Sequence, residues 1–277
     1  MAQGISVKSL SKSFQGFQLK RVDAEMPRGY VTAVIGGNGA GKTSLLKCII
    51  GSYVPDSGTI QFGVPKRAGR IGVVFDECPY PPTMRVHDLS RTMSKIFDDW
   101  DAERYEELCR RYGIGPWYKV GALSRGRRMR LQVAVMLSHG TDYLVLDEPT
   151  SGMDPEAREE FLGMLREYVS DEERTVVISS HQTSDLEKIA DQIVLMMDGK
   201  VVLCQDRISL MEEYGLVRGA DAESVPEKYV VGASESGFGR TILVNNRKAL
   251  ADAFPDMAID DASLEDFVVY HMKGRRG

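Results

Sequence analysis

The sequence predicts an α/β fold: a buried, mainly parallel sheet, preceded by an antiparallel β subdomain, interrupted by a helical insert and followed by a small C-terminal α+β appendage. Three observations carry this reading. Apolar runs of strand length recur at 30–35, 71–75, 142–147 and 175–181, and runs apolar throughout mark strands covered on both faces. Period-2 alternation at 17–24 and 58–62 instead suits a sheet with one solvated side. A glycine-rich segment, Gly36-Gly37-Asn38-Gly39-Ala40-Gly41-Lys42-Thr43, joins the first apolar run to a helical pattern over 44–50 that Gly51 stops.

Strand, G-x-x-x-x-G-K-T turn and helix together make a P-loop, so the sheet belongs to a P-loop NTPase core. Its glycines let successive N–H groups converge on a phosphate, and the helix start adds partial positive charge. Lys42 is placed to reach the β- and γ-phosphates, Thr43 to ligate Mg²⁺, and Ser44 continues the helix. The chain is expected to bind a nucleoside triphosphate.

Ahead of this loop, Phe14 sits in a Ser-Lys-Ser-Phe stretch; such an aromatic either packs in the core or stacks on a nucleotide base. The strand at 71–75 runs into Asp76, and the Pro79-Tyr80-Pro81-Pro82 cluster then breaks regular structure. Two helical segments follow, at 86–97 and 101–112. The second repeats Tyr105, Leu108, Cys109 and Tyr112 at helical spacing, with Gly113 at its end. Asp98, Asp99 and Asp101 read as helix-start acids and not as a metal cluster, and Trp100 and Trp117 as packing residues of the insert. Leu123-Ser124-Arg125-Gly126-Arg127 opens an almost wholly apolar helix over 128–138. Arginines there oppose the helix dipole, so they reach solvent or acids, or meet an anion.

The run at 142–147 ends in Asp147 and Glu148, at the strand edge where parallel sheets place ligand chemistry. It reads as a Walker B element, with Asp147 ordering Mg²⁺ and Glu148 able to take a proton from an attacking water. Residues 150–155 turn into a helix over 156–169, and the run at 175–181 ends in His181, at the same edge as Lys42. A histidine there is either an ordinary satisfied residue or a γ-phosphate contact, whereas His87 and His139 read as structural. Residues 191–203 form a hairpin turning at Asp198-Gly199. Beyond Tyr214 the pattern changes. A strand pair at 228–233 and 240–245, a helix at 248–254 and a last helix from Ser263, opened by a capping box, make up the appendage.

A net charge of −5 argues against a dedicated nucleic-acid binder. Four cysteines without a C-x-x-C pair read as reduced thiols. No signal-peptide profile opens the chain, and no apolar run approaches the roughly 20 residues a membrane span needs. The expectation is a cytoplasmic protein that reaches the membrane only through a partner.

The P-loop at 36–43, Leu123-Ser124-Arg125-Gly126-Arg127, the strand ending in Asp147-Glu148, residues 151–154 and His181 occur together and in order. In this the chain resembles the ATP-binding subunit of ABC transporters over roughly residues 3–212, giving a cassette of 1–214 with a helical insert at about 79–135 and an accessory unit of 215–277. The resemblance implies a head-to-tail homo- or heterodimer with two ATP molecules between the cassettes, each P-loop facing Ser124 and Gly126 of the other copy. It implies Glu148 as general base, Asp147 and Thr43 on Mg²⁺, His181 on the γ-phosphate, Asp154 in a loop that communicates across the dimer, and Phe14 as the base-stacking aromatic. Two departures stand out. Asp76 occupies the place of a glutamine that reaches Mg²⁺, and Arg125 and Arg127 occupy the third and fifth positions of Leu-Ser-Gly-Gly-Gln. With the Leu264-Glu265-Asp266-Phe267 stretch these look like bacterial exporters of antimicrobial peptides and drugs. The expected function is an ATPase powering separate integral membrane subunits, located on the cytoplasmic face of the membrane, without nucleic-acid partners. The alternatives are a soluble ABC-type ATPase acting on a nucleic-acid or protein assembly, and an importer ATPase whose C-terminal unit is regulatory.

Overall fold

The computed structural model describes residues 4–63, 71–75, 77–170, 174–180, 182–236 and 239–273. Asp76, His181 and the last four residues therefore lie outside the described residues. The chain opens with β1 (Ile5–Phe14) and β2 (Phe17–Met26), then β3 (Val31–Ile35), α1 (Lys42–Ile49), β4 (Ser57–Phe62) and β5 (Ile71–Val74). The insert supplies α2 (Val86–Met93), α3 (Ala102–Arg111) and α4 (Arg125–Met136). Then come β6 (Tyr143–Asp147), α5 (Pro155–Val169), β7 (Thr175–Ser179), α6 (Thr183–Ile189), β8 (Gln192–Met197), β9 (Lys200–Asp206) and α7 (Arg207–Glu213). The C-terminal stretch adds β10 (Gly215–Arg218), α8 (Ala220–Glu223), β11 (Val230–Ser236), β12 (Gly239–Val244), α9 (Arg247–Ala253) and α10 (Leu264–Lys273).

The central sheet has the order β5-β6-β7-β3-β8-β9. All its pairs are parallel except β8–β9, the hairpin turning at Asp198-Gly199. Every residue of β3, β6 and β7 is buried, which is why these strands read as unbroken apolar runs. Alternate side chains serve opposite faces. Val34, Val145 and Val177 pack with α1 and the N-terminal strands, while Ile35, Leu144, Leu146 and Ile178 pack with residues of α4, α5 and α6. The antiparallel sheet is β2-β1-β4.

The insert differs from expectation in three places. The first helix stops at Met93, with Ser94 as its cap, and the apolar helix starts at Arg125, because the Ser124 hydroxyl accepts from the Arg127 N–H and caps it there. Trp117 is 66% exposed, so its reading as a packing residue is wrong. It stands outside beside the His87 ring and the Arg85 guanidinium. Trp100 does pack, against Tyr105, with its indole N–H donated to Ser90. Asp101 caps α3 through the Arg104 N–H, and Asp99 accepts from the Gly140 N–H.

The appendage gains a strand that the pattern did not reveal, β10, giving the order β10-β12-β11. Val217, Ile242, Val244 and Leu250 form a core there, but Leu216, Leu243, Leu264 and Phe267 join the main core cluster. The Ser263–Asp266 capping box is reciprocal: each backbone N–H is accepted by the other's side-chain oxygen. The Leu264 N–H is taken by Glu187 of α6 at 2.6 Å.

Candidate functional site

Lys42, Thr43, Asp147 and Glu148 converge at the C-terminal edge of the parallel strands. β3 ends in the glycine-rich turn, and Gly41 caps α1 without supplying a side chain to it, so the first N–H groups of that helix stay available to an anion. Gly36 is required by space: at φ +150° a Cβ there would stand 2.2 Å from the Met196 carbonyl oxygen of β8. Asn38 and Gly39 are exposed, while Ala40 and Lys42 are buried. The Lys42 ammonium donates to the carbonyls of Gly36 at 2.9 Å and Gly37 at 3.3 Å, and lies 3.9 Å from Glu148 Oε1. A buried cation is thus held at the mouth of the loop.

From α1, the Thr43 hydroxyl donates to Asp147 Oδ2 at 2.8 Å. The other oxygen of Asp147 accepts from the Ser179 hydroxyl at 2.5 Å. Ser179 acts twice, since its hydroxyl and carbonyl oxygens both accept the Glu148 N–H at 3.1 Å. Glu148 itself takes a left-handed backbone with φ 51°, a costly conformation for a residue with a side chain. It turns the chain between two acids so that they serve different positions. Sequence reading did not single out Ser179; its signal is a hydroxyl at the end of the strand whose next residues are Ser180 and His181.

Phe14 is half-buried, 6.1 Å from the Phe17 ring and 5.1 Å from that of Tyr53. It lines, with Phe17, Gly39 and Asp198, an open cavity of about 450 Å³. That setting lies between core packing and a free ring face, and it adjoins the P-loop.

Ser124, Gly126 and Asp154 form a second cluster. Its hydrogen bonds stay within the cluster and its own helix: Ser124 accepts from the Arg127 N–H, and the Arg125 guanidinium donates to Ser151 at 3.3 Å. Arg130 lies 3.6 Å from Asp154, whose carboxylate caps α5 through the Ala157 N–H. That hydrogen bond first, and the nearby Arg130 charge less, hold the Asp154 carboxyl below the usual range. Two of the arginines that oppose the helix dipole, Arg125 and Arg130, therefore meet the 151–154 loop of their own chain.

The family model described as ABC transporter matches residues 19–151. The chain is similar to the lantibiotic transport ATP-binding protein SrtF of Streptococcus pyogenes, 31% identical over 206 residues, covering 72% of this chain and 89% of that protein. It is also similar to the ABC transporter ATP-binding protein YtrB of Bacillus subtilis, 28% identical with 87% and 86% covered. Among solved structures it resembles cbiO1 from Clostridium perfringens, described as part of the ABC transporter complex cbiONQ. There the TM-score is 0.63 at 26% identity, covering 77% of this chain and 92% of that one. Among the described residues no helix is long and apolar enough to cross a membrane.

Proposed function

Because this chain belongs to the ATP-binding proteins of ABC transporters, which bind and hydrolyse ATP, we propose that it drives integral membrane subunits from the cytoplasmic face, in export, through an ATP-closed pair of cassettes. The observation carrying this reading is the meeting of Lys42, Thr43, Asp147 and Glu148 at an open helix start. Lys42 and the residues from Gly36 to Ser44 would hold the phosphates, and Phe14 the base. Glu148 would take the proton from the attacking water, and His181 would contact the γ-phosphate. Ser124 and Gly126 make no hydrogen bond to their own P-loop among the described residues, in keeping with service to the nucleotide of a second copy.

Mg²⁺ fits the site. A hydroxyl and a carboxylate are hard oxygen donors, and their 2.8 Å separation matches the edge of an octahedron with metal–oxygen bonds of about 2.0–2.1 Å. Thr43 and Asp147 would hold the ion, with Asp76 a further candidate. Bound there, it would neutralise charge on the β- and γ-phosphate oxygens.

In this reading residues 1–214 form the cassette and 215–277 an accessory unit. Export is inferred from the likeness to a lantibiotic transport protein and from Leu264-Glu265-Asp266-Phe267, which here opens α10. Purification from solubilised membranes tests the assignment. The chain should be recovered with integral membrane proteins, and recovery alone from the soluble fraction would remove the transport reading. For export, cells depending on this chain should lose tolerance to antimicrobial peptides when it carries Glu148→Gln; unchanged tolerance would overturn the direction.

A further inference from the structure

Gln132 lies in the middle of α4, 1% exposed, among fully buried apolar neighbours Leu131, Val133 and Ala134. Its amide nitrogen donates to the Phe75 carbonyl at 3.2 Å, while its amide oxygen is buried without a hydrogen-bond partner among the described residues. Retaining a half-paired amide in an apolar helix carries a cost that an aliphatic side chain of like volume avoids. The acceptor is informative. Phe75 follows β5, an edge strand of the central sheet, and immediately precedes the position where Asp76 replaces the family's glutamine. The same helix takes the Val73 N–H on the Met136 sulfur at 3.2 Å, and Gly72 gives it room, since a Cβ there would be 3.2 Å from that of Met136. Two turns before Gln132, Ser124 caps the start of the helix.

We propose that Gln132 is a positioning residue that joins the phosphate-facing start of α4 to the end of β5, so that a displacement at either place is carried to the other. This rests on the reading of Ser124 and Gly126 as the half-site offered to a second copy. The amide is directional where the surrounding contacts are not: an apolar interface can slide by a fraction of an ångström, whereas a hydrogen bond to one carbonyl sets the helix register against the strand.

The test uses Glu148→Gln as parent, measuring ATP affinity, melting temperature and ATP-dependent dimerisation by sedimentation. Adding Gln132→Met should leave ATP affinity within about twofold and melting unchanged or raised, while weakening the dimer about tenfold, the size of a typical coupling between contacting groups. Adding Met136→Leu, a packing change at the same interface, should leave the dimer unchanged. An undiminished dimer with Gln132→Met overturns the inference alone, as does a loss that tracks a lower melting temperature or is shared by Met136→Leu. A parent that fails to dimerise with ATP takes down the two-copy reading and this inference with it. Should Gln132→Met not fold, Gln132→Glu decides. A protonated carboxyl can donate to Phe75 and a carboxylate cannot, so its dimer relative to the parent should strengthen as pH falls from about 8 to 5, a window set by the raised pKa of a buried acid. A flat ratio overturns the inference.

Discussion

Thr43 and Asp147, 104 positions apart, are joined by a 2.8 Å hydrogen bond from hydroxyl to carboxylate. The bond fastens the start of α1 to the end of β6, and Ser179 on β7 holds the carboxylate from the other side. Asp147 is thereby oriented from two separate elements. Ser179→Ala removes one support from Asp147 and one acceptor from the Glu148 N–H. Loss of such an outer partner should lower apparent Mg²⁺ affinity in ATP turnover by about 10- to 100-fold. A magnesium titration of the ATPase rate reads this directly, and an unchanged half-saturation point would contradict it.

Glu148→Gln and Lys42→Ala should separate chemistry from binding. Positioned general-base catalysis supplies about 10² to 10⁴ in rate, so Glu148→Gln should retain ATP while turning over at least ~10²-fold more slowly. Lys42→Ala removes the buried cation bonded to Gly36 and Gly37 and should lose ATP binding itself. Nucleotide-binding isotherms and single-turnover rates on both variants distinguish the two outcomes.

Gly199, at the tip of the β8–β9 hairpin, supports the P-loop from behind. Its N–H is accepted by the Ala40 carbonyl at 3.1 Å, and its own carbonyl accepts from Lys20 at 2.7 Å. With φ +76°, a Cβ would stand 1.9 Å from the Gln18 carbonyl oxygen. Gly199→Ala must therefore shift the turn, and strained backbone of this kind costs about 1–3 kcal/mol. Both melting temperature and ATP affinity should fall; a variant with wild-type affinity would show that the loop does not depend on the hairpin.

Stability at low pH should depend on Asp154. Its folded-state pKa is depressed, chiefly by the Ala157 N–H. The stabilisation is therefore complete above the unfolded carboxyl value of about 3.9 and is lost as pH falls through the lower folded value. Asp154→Ala should melt below the parent at pH 7, and the gap should close toward pH 3. A gap independent of pH would show that the cap's charge is immaterial.

How much of this was legible in the chain varies by length scale. The P-loop, the buried strands β3, β6 and β7, the capping box at Ser263 and the buried face of α3 are all written in neighbouring residues, because hydrogen-bonded turns and side-chain periodicity are local. The motifs at 36–43, 123–127, 144–148 and 151–154 with His181, in order, indicate the family. Short or weakly patterned pieces were not legible. β10 has four residues and depends on distant partners: it pairs with β12, bridges to Asp260, and sends Leu216 and Val217 into two different core clusters. Trp117 looked like packing because its exposure depends on where neighbouring elements end.

Residue identity and spacing along the chain establish which groups this protein has for holding phosphate and moving a proton. The tertiary structure alone decided which of them meet. Sheet order β6-β7-β3 brings the ends of three strands to one edge, and so sets Ser179, Asp147 and Thr43 in a hydrogen-bonded row. The same packing turns Arg125 toward Ser151 and Gln132 toward Phe75. None of these pairings lies within a helix turn or a hairpin, so no local pattern encodes them. They follow from the one arrangement that buries both faces of the sheet.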